Sequence, residues 1–275
     1  MRWPEEMCEI SAMSRESSNR KEKQMKFEAS IGLFLCCISC FAQSQTSPPK
    51  LEKMPEALET RFALSAAPPH LREGASVYVL DPLKGYALRH QGANGVSCIV
   101  VRSDWQWASP PFRGDIYWPV CYDSEGSKTL LQDYFYTAEL RARALDSKQV
   151  NEQVTKRFGT AAAPNPARTG VAYMIAPVMR GYTSAPEPVT MNMPHYMFYA
   201  PGVKDTDIGG NGFSKQYPFI LDMSRGRDDY ILLLVGETEK EKILQDSKDL
   251  LADLCSYREY LCTTPATRAR TPIDK

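Results

Sequence analysis

Four cysteines constrain what this chain can fold into, and a leader segment decides which four. Ile31 to Ala42 is a mostly apolar run of 12 residues, with small residues at Ala42 and Ser44. A bilayer span needs about 20 residues. A signal-peptide core has this shorter length and is followed by small residues at the cut. Cleavage is expected after Ala42 or Ser44, so residues 1–45 read as leader and Met25 reads as the true start. Ser39-Cys40 offers a lipid anchor as the alternative, although Cys37 stands where a Leu-like residue is expected. A buried core helix is the bland alternative. Removing the leader reduces eight cysteines to Cys98, Cys121, Cys255 and Cys262. An even count in an exported chain reads as disulfides, with three connectivities open.

Cys98 in GVSCIVV and Cys121 in IYWPVCYD both lie in strand-like segments, and they are expected to pair. Cys255 and Cys262 are seven apart. In one continuous helix their Cα atoms would stand about 10.5 Å apart, and a disulfide needs less than about 7 Å. That pair can bond only if the helix ends before Cys262.

Charge excludes some partners. Lys+Arg and Asp+Glu are both 33, so no net field draws the chain onto nucleic acid or an anionic membrane. The apolar fraction of 43% supports a substantial core. No transmembrane span is expected in the mature chain, and other partners are unknown.

Periodicity supplies the fold class. A short helix is expected near 54–66, stopped by Pro68 and Pro69. Strand-like runs follow at 75–80, 85–91 and 96–102, separated by the turn material DPLKG and GANG, and read as an antiparallel meander. A further strand spans 115–122, with Pro119 placing it near an edge or a bulge. Apolar residues at 130, 131, 134, 135, 138 and 140 then mark a helix, and Asp146-Ser147 caps a second one. VAYMIAPVM, HYMFYA, PFILDM and DYILLLVGE return to strand character, the last as a central strand. Thr238 with Glu241 reads as a capping box opening a C-terminal helix, with Ile243, Ser247, Leu250, Leu254 and Leu261 on one face. The expected architecture is one α+β domain over 46–262. It has an antiparallel sheet, a helix pair and a C-terminal amphipathic helix, followed by a disordered tail at 263–275.

Several fragments, taken in order, resemble a family of uncharacterised exported bacterial proteins. They are GASVYVLDPLKGY, GVSCIVVRSDW, CYDSEGSKTLL, GVAYMIAP, MPHYMFYAP, DTDIGG, PFILD and YILLLVGE. The resemblance covers roughly residues 70–236 and centres on His195 and Asp207-Ile208-Gly209. It implies export and domain extent, and it carries no catalytic residue across.

The site motifs are few. No HExxH or Cys/His spacing supports a zinc enzyme, and GxSxG, GxGxxG and the P-loop are absent, so no cofactor is expected. Asp205, Asp207 and Gly210 match part of a calcium loop, but Gln216 stands where a bidentate Glu belongs. RGD at 113–115 is too short to carry meaning alone. Met191, Met193, His195, Met197 and Tyr199 alternate, as one face of a strand does. Met191 to Met197 would span about 20 Å, too far to share one ion, which leaves Met193 and His195 as the soft-metal option. Trp105, Trp107, Trp118 and Tyr199 are candidate ligand contacts, the tryptophans offering stacking faces for sugars or peptides.

Three functions compete on these residues. The favoured one is a non-catalytic, secreted or periplasmic domain that binds a ligand or partner. One alternative is a hydrolase-like enzyme with His195 as acid or base beside Asp205 or Asp207. The other is the soft-metal binder.

Overall fold

The computed structural model describes residues 50–103, 112–182, 187–221 and 229–263, all within one compact unit. The expected leader, the expected tail from residue 264 onward and the segment holding Trp105 and Trp107 lie outside the described residues.

In chain order the elements begin with helices α1 (Glu56–Ser65) and α2 (Pro69–Arg72) and strands β1 (Ser76–Asp81), β2 (Gly85–His90), β3 (Ser97–Val101) and β4 (Trp118–Tyr122). Helices α3 (Ser124–Lys128), α4 (Leu131–Ala142) and α5 (Ser147–Lys156) follow. Then come β5 (Val171–Met174), β6 (Met179–Gly181), β7 (Val189–Met191), β8 (His195–Tyr199), β9 (Phe219–Leu221) and β10 (Tyr230–Leu234). The last helices are α6 (Glu237–Asp246) and α7 (Lys248–Tyr257). Eight strands form one sheet in the order β2-β1-β3-β4-β5-β8-β10-β9, and β6-β7 make a separate hairpin. This is a mixed α+β fold on a mostly antiparallel sheet.

One pairing departs from the expected meander: β3 runs parallel to β1, through Ser76 opposite Ser97 and Val77 opposite Cys98. The cause is local. The DPLKG turn folds β2 onto the outer side of β1, with the Asp81 carboxylate accepting from the Leu83 N–H at 2.9 Å. The next loop then crosses the start of β1 to its other edge, where Ala93 and Asn94 N–H groups both bond the Gly74 carbonyl. That crossing is tight. A Cβ on Gly92 would stand 2.1 Å from the Gly74 oxygen, so only glycine fits.

Pro119 sits inside the sheet, not at its edge. Its strand pairs along its whole length with β3, but β5 meets only Cys121 and Tyr122. Cys98 and Cys121 stand 4.0 Å apart at Cα, close as in a non-hydrogen-bonded pair. Pro119, two residues on, has the same parity, so its missing N–H falls outside the β3 ladder.

Helices cover both faces, which explains why β3 is buried at every position. Cys98, Val100, Tyr117 and Cys121 face α1 and α7, with Phe62 and Leu254 in the same cluster. Ile99, Val101, Val120 and Tyr122 face the other way, toward Leu131, Tyr134 and Val150 of the helix pair. Asp146 caps α5 through a capping box with Gln149.

The C-terminal helix differs from its expected form. It is two helices broken at Ser247, and α6 starts from Gly236 with no side-chain cap. The chain leaves β10 at Leu234, and Val235 bonds back to the Pro194 carbonyl. The helix therefore begins at once, and Thr238 falls inside its first turn instead of capping it. Ile243, Leu250, Leu254 and Leu261 are buried, as their spacing predicts.

Both cysteine pairs are bonded. Cys98–Cys121 crosses β3 and β4. Cys255–Cys262 forms because α7 stops at Tyr257, Arg258 is extended and Glu259–Leu261 makes a 3-10 turn, bringing the Cα atoms to 4.3 Å. Among the described residues no helix is long and apolar enough to cross a membrane.

Candidate functional site

The alternating stripe from Met191 to Tyr199 is cut in two. Met191 ends β7 in the small hairpin, and only His195, Met197 and Tyr199 share the buried face of β8. His195 opens that strand between Leu234 of β10 and Met174 of β5 and is 2% exposed. Its Nδ1 donates to the Met193 carbonyl at 2.7 Å. Burial pushes the imidazole below its usual range, against the opposing pull of that carbonyl. Met193 thus meets the ring through its backbone.

The other sequence candidates are also engaged. Tyr199 is buried, and its hydroxyl lies 3.0 Å from both the Asp123 Oδ1 and the Val171 carbonyl. Trp118 is half-buried, packed against Gly181, and its indole N–H has no partner among the described residues. Asp205 accepts the Ile220 N–H at 2.7 Å, and Asp207 accepts the Lys204 N–H at 2.9 Å. The first bond fastens a short 3-10 turn, Asp205–Ile208, to β9, and the second closes the turn on itself. Among the described residues no group of three or more His, Cys, Asp or Glu is placed to hold a metal ion.

A different constellation forms at the far end of β3 and β4. Arg102 continues the inward parity of Cys98 and Val100 and is 1% exposed. It donates to the Glu52 carbonyl at 2.6 Å, the Tyr117 hydroxyl at 3.0 Å and the Gly114 carbonyl at 3.3 Å. Its guanidinium also lies 4.5 Å from the Tyr117 ring centre. The Tyr117 hydroxyl meets that of Tyr260 at 3.2 Å, and Arg180 stacks on the Tyr260 ring.

Arg180 in turn donates to Asp115 at 2.9 Å, and Arg113 grips both Asp115 oxygens at 2.9 and 3.0 Å. The RGD tripeptide is therefore an internal ion pair. Burial works to raise the Asp115 carboxyl pKa, but the hydrogen bonds and charges of Arg113 and Arg180 carry it below its usual value. Arg113 reaches outward to Glu187 at 2.5 Å.

Next to this network lies Glu59 of α1, fully buried. One carboxyl oxygen accepts the Leu80 N–H at 2.9 Å, and the other is buried with no partner among the described residues. Burial pushes its pKa from 4.5 up to about 7, against the Leu80 hydrogen bond and the Arg102 and Lys53 charges. Tyr86, opposite Leu80, donates to the Val100 carbonyl at 2.7 Å and accepts the Arg102 N–H at 3.3 Å. Glu59, Tyr86 and Arg102 thus gather where the parallel strands β1 and β3 end side by side. Chemically, Glu59 is a carboxyl that exchanges a proton near neutral pH beside a fixed cation.

None of Glu59, Arg102, Asp115, Arg180 and Tyr260 stands out by motif. A signal did exist for two of them. Arg102 falls on the inward face of a strand, and Glu59 precedes Phe62 and Ala63 at helical spacing. A charge on an apolar face marks a buried network.

Comparison with known proteins returns no match: no family model, no curated protein and no solved structure is similar to this chain.

Proposed function

We propose that this is an exported, disulfide-stabilised domain that binds a ligand or partner without turning it over. Export is supported by the apolar run at Ile31–Ala42 and by two closed disulfides. The fragments that resemble uncharacterised exported bacterial proteins point the same way. The observation that carries the non-catalytic reading is His195, buried and bonded through Nδ1 to the Met193 carbonyl. Acid–base work needs a group within reach of a substrate proton. On this reading Trp118 supplies ligand contacts together with Trp105 and Trp107, which lie outside the described residues, with sugars and peptides as the ligand classes.

Glu59 combines a near-neutral pKa with an oxygen that has no partner among the described residues, but it is fully buried as well, so the same argument applies to it.

The test has two arms. Intact mass and thiol counting on protein recovered from cell fractions should find a chain starting near Ala42–Ser44 with no free thiol. A cytosolic chain retaining the leader, with Cys98, Cys121, Cys255 and Cys262 all free, overturns export. Tryptophan fluorescence should then respond to oligosaccharides or peptides, with a weaker response in Trp118→Phe. Hydrolysis of any of these, abolished in His195→Ala or Glu59→Gln variants that remain folded, overturns the non-catalytic reading.

A further inference from the structure

The two disulfides occupy different surroundings. Cys98 and Cys121 are fully buried between α1 and the sheet. Cys255 and Cys262 are half-buried, each followed by an exposed residue, Ser256 and Thr263. The chain between Cys255 and Cys262 holds the Glu259–Leu261 turn, and that turn closes the arginine–tyrosine network. The Tyr260 hydroxyl meets Tyr117, its ring lies under Arg180, and its carbonyl accepts the Thr190 hydroxyl. Leu261 beside it is fully buried. The turn's own backbone bonds are local, from Leu261 to Arg258 and from Cys262 to Glu259. Apart from the Tyr260 carbonyl, its hold on the rest of the fold therefore runs through side chains and the disulfide. By contrast, a five-residue β ladder holds Cys98 and Cys121 together whether or not they are bonded.

We propose that Cys255–Cys262 is a thiol-exchange site that opens ahead of Cys98–Cys121, and that its opening frees the Tyr260 turn from Tyr117 and Arg180. The co-reactant is a dithiol reductant. One of its thiolates attacks the Sγ of Cys255 or Cys262. The S–S bond breaks, a mixed disulfide forms, and the other cysteine leaves as a thiolate that takes up a proton. The second thiolate of the reductant then displaces the remaining cysteine. Two electrons pass to the protein, which ends with two thiols, and the reductant ends as a cyclic disulfide. Access sets the order, because a thiolate must approach the sulfur it attacks. The half-buried pair is reachable in the folded state, whereas the core pair needs the sheet and α1 to part. The inference shares with the function proposed above only the oxidised state of the cysteines.

The test uses the purified, oxidised full chain, titrated with dithiothreitol under native conditions, alkylated and peptide-mapped. Cys255 and Cys262 should become alkylated together at roughly tenfold less reductant than Cys98 and Cys121. Over that step the far-ultraviolet circular dichroism should hold, while the near-ultraviolet tyrosine signal changes. Thr190→Val, which removes one bond to the turn, should lower the reductant needed for Cys255–Cys262 and leave Cys98–Cys121 where it was. Simultaneous opening, the reverse order, or loss of far-ultraviolet signal together with Cys255–Cys262 overturns the proposal. Because oxidation is set in vitro, failure of the export reading leaves this readout intact.

Discussion

The Tyr199 hydroxyl donates to the Asp123 carboxylate at 3.0 Å and so ties the end of β8 to the start of α3. The same Asp123 oxygen caps α3 by accepting from Glu125 and Gly126, and its second oxygen accepts the Val171 N–H at 3.0 Å. Tyr199→Phe removes a buried hydroxyl from the Asp123 carboxyl oxygen it bonds, so it should cost about 1–3 kcal/mol. Gly126→Ala should be worse, since the new Cβ would stand 2.1 Å from the Tyr199 oxygen. The double variant lacks that oxygen, so its loss of stability should be smaller than the sum of the two single losses. A urea melt of all four proteins checks this, and strict additivity would refute the contact.

Glu59 predicts a stability that declines with rising pH. Its unfolded pKa lies near 4.5 and its folded pKa near 7, so between these the unfolded chain has lost a proton that the folded chain keeps. The contribution is complete below pH 4.5 and is lost by pH 7, a change of about 3 kcal/mol. Glu59→Gln should erase this slope and be the more stable protein at pH 8. Equal slopes in parent and variant would sink the assignment.

His195 tilts the curve the other way. Its folded pKa is below 6.5, so the unfolded chain takes up the proton first as pH falls. Its contribution is complete above about pH 6.5 and fades below it. His195→Ala should melt lower at pH 8 by about 1–3 kcal/mol, from the lost buried bond to Met193. It should also lose stability more steeply than the parent between pH 5 and pH 7, since Glu59 then acts unopposed. An unchanged melting temperature at pH 8 would remove the structural role.

Asp115→Asn leaves Arg113 and Arg180 facing a neutral group inside the fold. Breaking one partner of a buried pair costs about 3–5 kcal/mol, or a fall in Tm on the order of 10 °C. Glu187, whose side chain is 71% exposed, is the control, and its change to Gln should stay within about 1 kcal/mol. Comparable losses in both variants would mean that the network does not hold this end of the sheet.

Periodicity was enough for the α+β class, the helix pair, the Cys98–Cys121 neighbourhood and the buried face of the last helices. Each rests on residues two to four apart, whose side chains share a face in any regular element. The Met191–Tyr199 stripe was legible only in its second half. Alternation along one segment cannot reveal that Asn192 bonds the Pro177 carbonyl and that β7 and β8 belong to different sheets. The Asp205–Gln216 loop reads as calcium-like because its Asp spacing is local, while the acceptor roles of its carboxylates depend on β9 and on the turn itself. What tertiary structure alone decided is the parallel seating of β3 on β1, set by a loop crowding Gly74, and the network from Arg102 to Arg113 that lies beside Glu59. Arg102 and Arg113 are joined through Tyr117, Tyr260, Arg180 and Asp115, with Tyr260 supplied by the C-terminal turn. A buried charge is stable only where partners from distant segments meet it, and that meeting is a property of the packed chain, which no local spacing encodes.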